Sequence, residues 1–293
     1  MKTIKTLLIV GGAFLTAGIV AFVVGMTSIG WDFNALDTGN YVNKEYILTA
    51  EETVALSSVS ASINSSRLEI FALDDAHPTA AVYYDEDTDR TDINIAVVNG
   101  KLTIKQKDKW SIKDLSIANN FNFKSRKITV YLPQGLNSID IVINSGVATI
   151  NDMSVGEMTL DIDSGHANIN NTTVAGRLDI DIDSGWANLD TVTADALDID
   201  IDSGRANLDA VTVNTLTCEI NSGSANFGGL TADNITVKID SGRVSGDIIG
   251  NKAEYTIMVS VDSGSSNLKN QTAPMGKFLV IEVDSGLIDI DFV

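Results

Sequence analysis

Basic residues, cysteine and proline are scarce in this sequence, as are aromatic side chains. The chain has 293 residues, with 20 Lys and Arg against 39 Asp and Glu, 3 Pro, 6% aromatic residues and a single cysteine, Cys218. One cysteine excludes an internal disulfide. The acidic balance argues against a nucleic-acid-binding protein, which needs a basic face. It favours a solvated surface, or cationic partners such as metal ions and basic proteins.

Familiar catalytic motifs are missing as well. The sequence has no H-E-x-x-H, G-x-S-x-G or P-loop pattern and no Ser-His-Asp order, so no motif indicates a hydrolase or a nucleotide-dependent enzyme. What the sequence does contain is one long apolar run and one strongly repeated unit.

The apolar run Leu7–Met26 contains no charged residue. A helix of that length spans about 30 Å, the hydrocarbon thickness of a bilayer. Lys2 and Lys5 precede the run, so the positive-inside rule predicts a cytoplasmic N-terminus with the rest of the chain outside. We therefore predict a single-pass membrane protein. A cleaved signal peptide is the alternative, although no A-x-A-like site follows the run.

The repeated unit is Asp-Ser-Gly or Asn-Ser-Gly, which recurs every 19 to 22 residues. Its eight serines are Ser145, Ser164, Ser184, Ser203, Ser222, Ser241, Ser263 and Ser285. A period this regular is typical of repeat architectures, in which each unit needs its neighbours to bury an apolar face.

Around each Ser-Gly, apolar and polar residues alternate with the period of a β-strand. Ile180 and Ile182 precede one turn, and Ala187 and Leu189 follow it. A third apolar position recurs about ten residues after the serine, at Val155, Val174, Ala194, Val213 and Ala232. Stacked units predict an all-β fold, a parallel β-helix (solenoid) of about eight coils of 19–22 residues. At about 4.8 Å per coil the rod would be roughly 40 Å long.

Four segments follow from these patterns. They are an N-terminal stub and transmembrane anchor (1–29), a linker (30–52), a strand-rich segment that caps the solenoid (53–136) and the solenoid repeats (137–293). Within the cap, Ile63–Ser66 resembles a degenerate turn and Asn99-Gly100 predicts a hairpin.

The C-terminal end of the predicted solenoid carries no polar cap. The chain stops at the strand-like segment Leu287–Val293, and an uncovered strand edge can pair with another chain. Self-association through this C-terminal edge is therefore one expectation. The other is that Phe292 and Val293 fold over the core and close it.

The residues described so far resemble the bacterial putative-adhesin family. The resemblance is carried by the N-terminal anchor, the strands GKLTIKQKD and KITVYLPQG and the tandem I-D-S-G-x-A-N-L coils, and it covers roughly residues 50–293. This family is a domain of unknown function found in membrane-anchored envelope proteins, including LiaG-like members of envelope-stress operons. The resemblance implies a β-solenoid at the bacterial cell surface, and it supplies no agreed ligand or catalytic residue.

We interpret Asp-Ser-Gly as a turn between strands. The glycine is expected to supply a backbone conformation such as a positive φ. The Asp or Asn is expected to bond backbone N–H groups ahead of it. Asn144 and Asn221 replace Asp, which a role that depends on charge would tolerate poorly. Cys218 is in line with Ile180 and Ile199, so we interpret it as a buried packing residue rather than a nucleophile.

The aspartates before the turn are the candidate metal ligands. Stacking would place Asp181, Asp183, Asp200 and Asp202 on one outer face, with neighbouring carboxylates about 5 Å apart across strands. Bound Ca²⁺, which takes 6–8 oxygen ligands, would relieve their repulsion. A flat strand face rarely surrounds a cation, however, and salt screens the repulsion, so a solvated acidic face is the alternative.

The position two residues after each serine varies while its neighbours stay constant, which indicates a solvent-facing side chain. It carries His166, Trp186 and Arg205 in three consecutive copies. Aromatic residues and Arg are favoured binding anchors, so these three residues are the candidate partner surface for a sugar or a peptide. Tolerated variation at the surface is the alternative explanation.

We predict no enzymatic activity, because coils of nearly constant length leave no long loops to build a cleft around converging carboxylates. The leading hypothesis is a membrane-anchored surface solenoid that acts as an adhesin, or as a binding or scaffold protein in envelope stress. Its partner would be a cell-wall glycan or an envelope protein, and it would need no cofactor unless Ca²⁺ binds. A polysaccharide-active β-helix enzyme and a passive structural spacer are the alternatives.

Overall fold

The structure, a computed structural model, describes residues 41–88, 91–109, 126–274 and 276–293, together with Val24 and Thr27. Among these residues no helix is long and apolar enough to cross a membrane. The predicted span Leu7–Met26 lies, apart from Val24, outside the described residues, so the anchor stays a prediction.

The described part of the chain is almost entirely β-structure, joined into one sheet of twenty strands. The strands of the first third are β1 (Tyr41–Ile47), β2 (Ser58–Ile63), β3 (Arg67–Ala72), β4 (Ala81–Asp87), β5 (Thr91–Val98), β6 (Lys101–Asp108) and β7 (Lys127–Leu132). The central strands are β8 (Leu136–Ile143), β9 (Val147–Asn151), β10 (Ser154–Ile162), β11 (His166–Ile182), β12 (Trp186–Ile201), β13 (Arg205–Asp209) and β14 (Thr212–Ile220). The last are β15 (Ser224–Ile239), β16 (Arg243–Ile248), β17 (Tyr255–Val261), β18 (Ser265–Ser266), β19 (Lys277–Val283) and β20 (Leu287–Phe292). One short helix, α1 (Ala50–Ala55), and a 3-10 turn, Lys252–Glu254, complete the described elements.

The predicted all-β solenoid is confirmed, because successive coils pair as parallel strands in the register of the repeat. Asp181 is the partner of Asp200, and His166 is the partner of Trp186. The inward positions form columns along the rod, and one column contains Ile180, Ile199 and Cys218. The predicted inward residues before the turn, after the turn and at the third apolar position are all buried. Burial of these columns is the main source of stability, at roughly 25 cal/mol per Å² of apolar surface.

The Asp-Ser-Gly unit is a turn, but both details predicted for it were wrong. None of its eight glycines, all within the described residues, has a positive φ. The coils approach so closely that a Cβ on Gly165 would lie 2.6 Å from the carbonyl oxygen of Gly146. Two of the described turns instead have a side-chain bond across coils, in which Asn144 Nδ2 donates to Asn64 Oδ1 at 2.7 Å and Asn221 Nδ2 donates to Asp202 Oδ1. Glycine is therefore required by the contact between coils.

A second corner, shared by five of the coils, holds a column of left-handed residues. One residue per coil has a positive φ, and the column runs Asp152 (55°), Asn171 (47°), Thr191 (56°), Ala210 (51°) and Gly229 (81°). Asn and Asp tolerate this region and Gly adopts it freely, whereas a β-branched residue is strained there. Thr191 is therefore the least suitable member of the column.

Replacing Thr191 with Asn is expected to stabilise the protein by about 0.5–1 kcal/mol. The left-handed conformation costs an ordinary residue about 1–2 kcal/mol. Part of the gain is offset because Thr191 Oγ1 donates to Asp190 Oδ1 at 2.9 Å. Urea denaturation measures the change. Thr193→Asn is the control, since Thr193 lies in the same strand without a positive φ. An equal gain in both variants would contradict the strain at Thr191.

At the N-terminal end the coils do not follow chain order. Strand β2 pairs in parallel with β6 on one side and with β8 on the other, and β3 likewise lies between β7 and β9. The predicted degenerate turn is confirmed, because the N–H of Ser145 donates to the carbonyl oxygen of Asn64 at 2.7 Å. The coil formed by β2 and β3 therefore lies between the strands β6 and β7 on one side and the coil formed by β8 and β9 on the other.

Antiparallel strands close this end. Strand β5 pairs with the outer edge of β6 through the predicted hairpin, while β4 pairs with β7 and β1 with β4. Strand β1 and the first residues of α1 lie within the segment 30–52, so the second half of the predicted linker is part of the fold. These antiparallel strands cover the outer edges of β6 and β7, which would otherwise be free to pair with other chains.

The C-terminal end shows a second exchange of order. The last coil, 277–292, pairs on one side with β15 and β16 and on the other with β17 and β18. Of the two expectations for Leu287–Val293, the uncovered strand edge is therefore wrong, because β20 is paired on both sides. The terminal edge is β17, and there the N–H of Ile257 donates to the carbonyl oxygen of Gln271 at 2.9 Å while Gln271 bonds back at 2.9 Å. Self-association through the C-terminal end of the solenoid stays a prediction, and the strand at that end is β17 rather than Leu287–Val293.

Candidate functional site

Two outward faces meet at the Asp-Ser-Gly corner. The acidic face is formed by outward residues before the turn, among them the column Asp161, Asp181, Asp200 and Glu219. The amide face is formed by outward residues after the turn, among them the column Asn168, Asn188, Asn207 and Asn226. Strand alternation produces both faces, because every second residue of a coil must point to solvent.

The carboxylates of the acidic face are stacked in register, and among the described residues no Lys or Arg forms an ion pair with Asp181 or Asp200. Partial burial, with repulsion from Asp200 and Asp161, raises the pKa of Asp181. Partial burial, with repulsion from Glu219, raises the pKa of Asp200. Cations lie at the margins instead, where Lys238 Nζ is 2.7 Å from Glu219 Oε1 and Arg177 Nε is 2.9 Å from Asp198.

The double variant Asp181→Asn/Asp200→Asn is expected to be more stable than the parent at pH 7, by roughly 0.2–1 kcal/mol, because like charges directly opposite on neighbouring strands are destabilising. Since folding raises the pKa of both carboxyls, the folded state binds protons more tightly than the unfolded chain. The contribution of these two carboxyls to the parent's free energy of unfolding therefore falls as the pH rises above about 3.9. Thermal melts from pH 3.5 to 7 measure this. If the stability difference between the double variant and the parent does not decrease towards pH 3.5, repulsion between the two carboxylates is not its cause.

The predicted calcium ligands lie where the repeat places them, with Asp181 beside Asp200 and the turn residues Asp183 and Asp202 stacked at the corner. In the described part of the chain, no group of three or more His, Cys, Asp or Glu side chains is arranged to hold a metal ion. Ca²⁺ needs 6–8 oxygen ligands from several directions. Calcium binding stays a prediction. It is tested by the melting temperature of the Asp181, Asp183, Asp200 and Asp202 to Asn variant with and without Ca²⁺.

The predicted partner surface is brought together on the amide face. His166, Trp186 and Arg205 occupy neighbouring positions on three adjacent strands. The rings of His166 and Trp186 are stacked with centroids 4.7 Å apart, yet Trp186 is 50% exposed. Arg205 Nε donates to Ser224 Oγ at 3.3 Å. An aromatic platform therefore lies directly beside a guanidinium group.

Two residues further along the same strands, the asparagine column is hydrogen-bonded. Asn188 Nδ2 donates to Asn168 Oδ1 at 3.0 Å, and Asn207 Nδ2 donates to Asn188 Oδ1 at 2.7 Å. Each bonded amide still carries donors and acceptors for other groups. The column thus holds a row of amides in fixed orientation along the rod.

A groove continues the surface beyond Arg205. It has a volume of about 280 Å³ and lies between Arg205 and Arg243, with Ser224, Asn207 and Asn226 among its lining residues. The sequence hypothesis missed Arg243 and the asparagines as members of the surface. Arg243 occupies the same variable position two residues after a serine, so the repeat itself contained the signal. Arg243 was missed because Ser224, a small residue, occupies that position in the copy between Arg205 and Arg243.

A larger cavity of about 450 Å³ lies at the N-terminal end and is lined by both signs of charge, including Lys44, Glu45, Asp85 and Lys127. Its two lysines are already paired. Lys127 Nζ is 2.7 Å from Glu69, and Lys44 contacts the buried Glu86. Cations that are neutralised in this way are poor anchors for a ligand.

Cys218 is buried in the core column, as predicted. Burial, with some repulsion from Asp200 and Glu219, raises the pKa of the Cys218 thiol to about 12. The reactive form of cysteine is the thiolate. The thiol is therefore protonated at neutral pH and acts as an apolar packing group.

Two solved structures share this fold across most of the chain. A putative lipid binding protein from Parabacteroides distasonis is 18% identical with a TM-score of 0.52, and the match covers 88% of this chain and 98% of that one. A putative adhesin from Parabacteroides merdae is 14% identical with a TM-score of 0.51, over 88% and 98% of the two chains. At these identities the likeness shows the fold alone. No curated protein matches the chain.

A family of sequences matches much more specifically. The sequence model of Toastrack DUF4097 matches residues 53–277, which is more than half of the chain and includes both the cap and the coils. The predicted membership of an adhesin-like family of unknown function is thereby confirmed. The chain belongs to the Toastrack DUF4097 family.

Proposed function

We propose that this protein is a membrane-anchored, extracytoplasmic binding protein that attaches to a glycan of the bacterial cell envelope through its amide face. The observation that carries the proposal is the exposed Trp186 ring, stacked on His166 beside Arg205. An indole ring packs against the apolar C–H face of a sugar, while amides and guanidinium groups bond its hydroxyls. The adhesin-like character of the family agrees with such a role.

Rigidity favours binding at this surface. Stacking on His166 restricts the Trp186 side chain, and the strand register fixes the neighbouring amides. A surface that is already ordered loses less conformational entropy when it binds a ligand. Solenoids also present extended surfaces that suit chain-like ligands. These properties favour a binder over a passive spacer.

The proposed role is non-enzymatic. Hydrolysis of a glycosidic bond needs two carboxyl groups that flank the bond across a cleft. On the acidic face the carboxylates Asp161, Asp181 and Asp200 instead form one column along a strand surface. The thiol of Cys218 is buried and protonated. The candidate binding surface itself consists of aromatic, amide and guanidinium groups.

Binding is tested with the full chain in detergent and a defined sugar, cellohexaose, by isothermal titration, together with soluble peptidoglycan fragments. We expect Trp186→Ala to weaken binding at least about tenfold, as for a central aromatic anchor, and Trp186→Phe to retain part of it. Thr217→Ala on the acidic face is the control and should bind like the parent. A parent protein that binds neither sugar would refute the glycan proposal and favour the spacer.

Membrane anchoring is tested separately by fractionation of cells that express the full chain. The uncharged run Leu7–Met26 predicts that the protein sediments with membranes and is released by detergent but not by high salt. Cleavage of a signal peptide would instead leave a soluble product that is shorter than the full chain.

A further inference from the structure

We propose that the groove between Arg205 and Arg243 binds the acidic groups of the glycan, so that the ligand is a polysaccharide that carries carboxylates. This inference rests on the proposed glycan-binding function and names the class of its ligand. It is independent of Trp186, because the groove lies on strands β13, β15 and β16, on the far side of Arg205 from the indole ring.

The groove is rich in hydrogen-bond donors. Two guanidinium groups and the side chains of Ser224, Asn207 and Asn226 line it, and no carboxylate is among its described lining residues. The chain as a whole carries a net charge of −19, so a concave site with only cationic and neutral polar groups is unusual for its surface. Arg guanidinium groups form charge-assisted, often bidentate hydrogen bonds with carboxylates.

Both arginines are available to a ligand. Arg205 takes part in no ion pair among the described residues, and its Nε donates only to the Ser224 hydroxyl, at 3.3 Å. Arg243 Nη2 lies 3.6 Å from Asp289 Oδ2, with both side chains more than half exposed. An exposed pair at that distance contributes little to stability. A carboxylate in the groove can therefore replace Asp289 as a partner of Arg243 at small cost.

The spacing of these groups suits a chain that lies along the rod axis. Trp186 and Arg205 are on adjacent strands, and Arg243 is two strands beyond Arg205. At about 4.8 Å per strand, the two arginines are roughly 10 Å apart along the rod. That separation is comparable with the length of a disaccharide unit. One sugar can thus pack on Trp186 while acidic groups further along the same chain reach the arginines.

The test compares two hexasaccharides with the same backbone, titrated into the full chain in detergent. The β-1,4-linked glucuronate hexamer carries a carboxylate on each sugar, and cellohexaose carries a hydroxymethyl group there. We expect the parent to bind the glucuronate hexamer at least about tenfold more tightly at low salt, with the preference decreasing as salt is added. Arg205→Gln and Arg243→Gln should each remove most of this preference, so that each variant binds the two hexamers with similar affinity.

Arg177→Gln is the matched control, since it removes the same charge from the acidic face, where Arg177 pairs with Asp198. It should leave both affinities unchanged. Equal binding of the two hexamers by the parent would overturn the acidic-ligand inference while the proposed glycan binding stands. A preference for glucuronate that survives both groove substitutions would also overturn it. Binding of neither hexamer by a parent protein that binds peptidoglycan fragments would overturn the acidic-ligand inference alone, whereas binding of none of these sugars would refute the glycan proposal itself.

Discussion

Replacing Gly242 with Ala is expected to lower the free energy of unfolding by about 3 kcal/mol or more, at the severe end of overpacking substitutions. An added Cβ would lie 2.5 Å from the carbonyl oxygen of Gly223 and closer still to the Cγ2 methyl of Ile220. Neither neighbour is free to move. The Gly223 carbonyl accepts the N–H of Arg243 at 3.1 Å, and Ile220 belongs to the buried core.

The matched control is Gly276→Ala, because a Cβ on Gly276 would have no atom within 4 Å. Its free energy of unfolding should stay within about 0.5 kcal/mol of the parent. Denaturation in guanidinium measures both variants. If Gly242→Ala lowers the free energy of unfolding no more than Gly276→Ala does, the repeat glycines do not have a steric role. The two variants differ in neighbouring atoms rather than in φ, since neither glycine has a positive φ.

The coil architecture could be predicted from the sequence because the period of the repeat and the alternation within it correspond to one coil and its inward face. Alternation around Ile180 and Ile182 identifies the inward face, and a spacing of 19 or 20 residues matches the register of one coil on the next. The role of the glycine could not be predicted in the same way. A turn glycine with positive φ and a glycine pressed against the coil beneath it look identical in one sequence. Only the distance between stacked turns distinguishes them.

The order of the coils at the two ends also could not be predicted from the sequence. Each coil has the same inward pattern, so any coil can in principle stack on any other. The segment that leads from β18 past Gln271 to β19 follows no repeat, so its sequence does not indicate where the next coil enters the stack. The connection allows the coil 277–292 to enter the stack between two earlier coils, and a neighbour in sequence then ceases to be a neighbour in space.

The candidate binding surface was predicted in part. The variable position after the turn identified His166, Trp186 and Arg205, because constant neighbours fix the register and leave that position exposed. Arg243 shares the same position two coils later. The sequence does not show, however, that Arg205, Ser224 and Arg243 line one groove. The stacked geometry of His166 and Trp186 likewise depends on rotamers that a repeat pattern does not specify.

The second large effect is expected from Ile281→Ala, which should cost about 2–5 kcal/mol, as for other Ile to Ala substitutions in a buried core. Ile281 is buried between Val237 on one side and Val259 on the other. If coils followed chain order, Ile281 would instead lie in the terminal coil. Ile249→Ala is the control for the same substitution at a position that is 49% exposed. It should cost no more than about 1 kcal/mol.

A double-mutant cycle distinguishes the two orders of coils directly. In the exchanged order Val237 contacts Ile281 and is two strands away from Val259, roughly 10 Å. Val237→Ala and Ile281→Ala should therefore show a coupling energy of about 0.5 kcal/mol or more, whereas Val237→Ala and Val259→Ala should be additive within about 0.5 kcal/mol. Chain-order stacking predicts the reverse, with coupling between Val237 and Val259. Urea denaturation of the single and double variants decides between them, because the coupling depends only on which side chains are in contact.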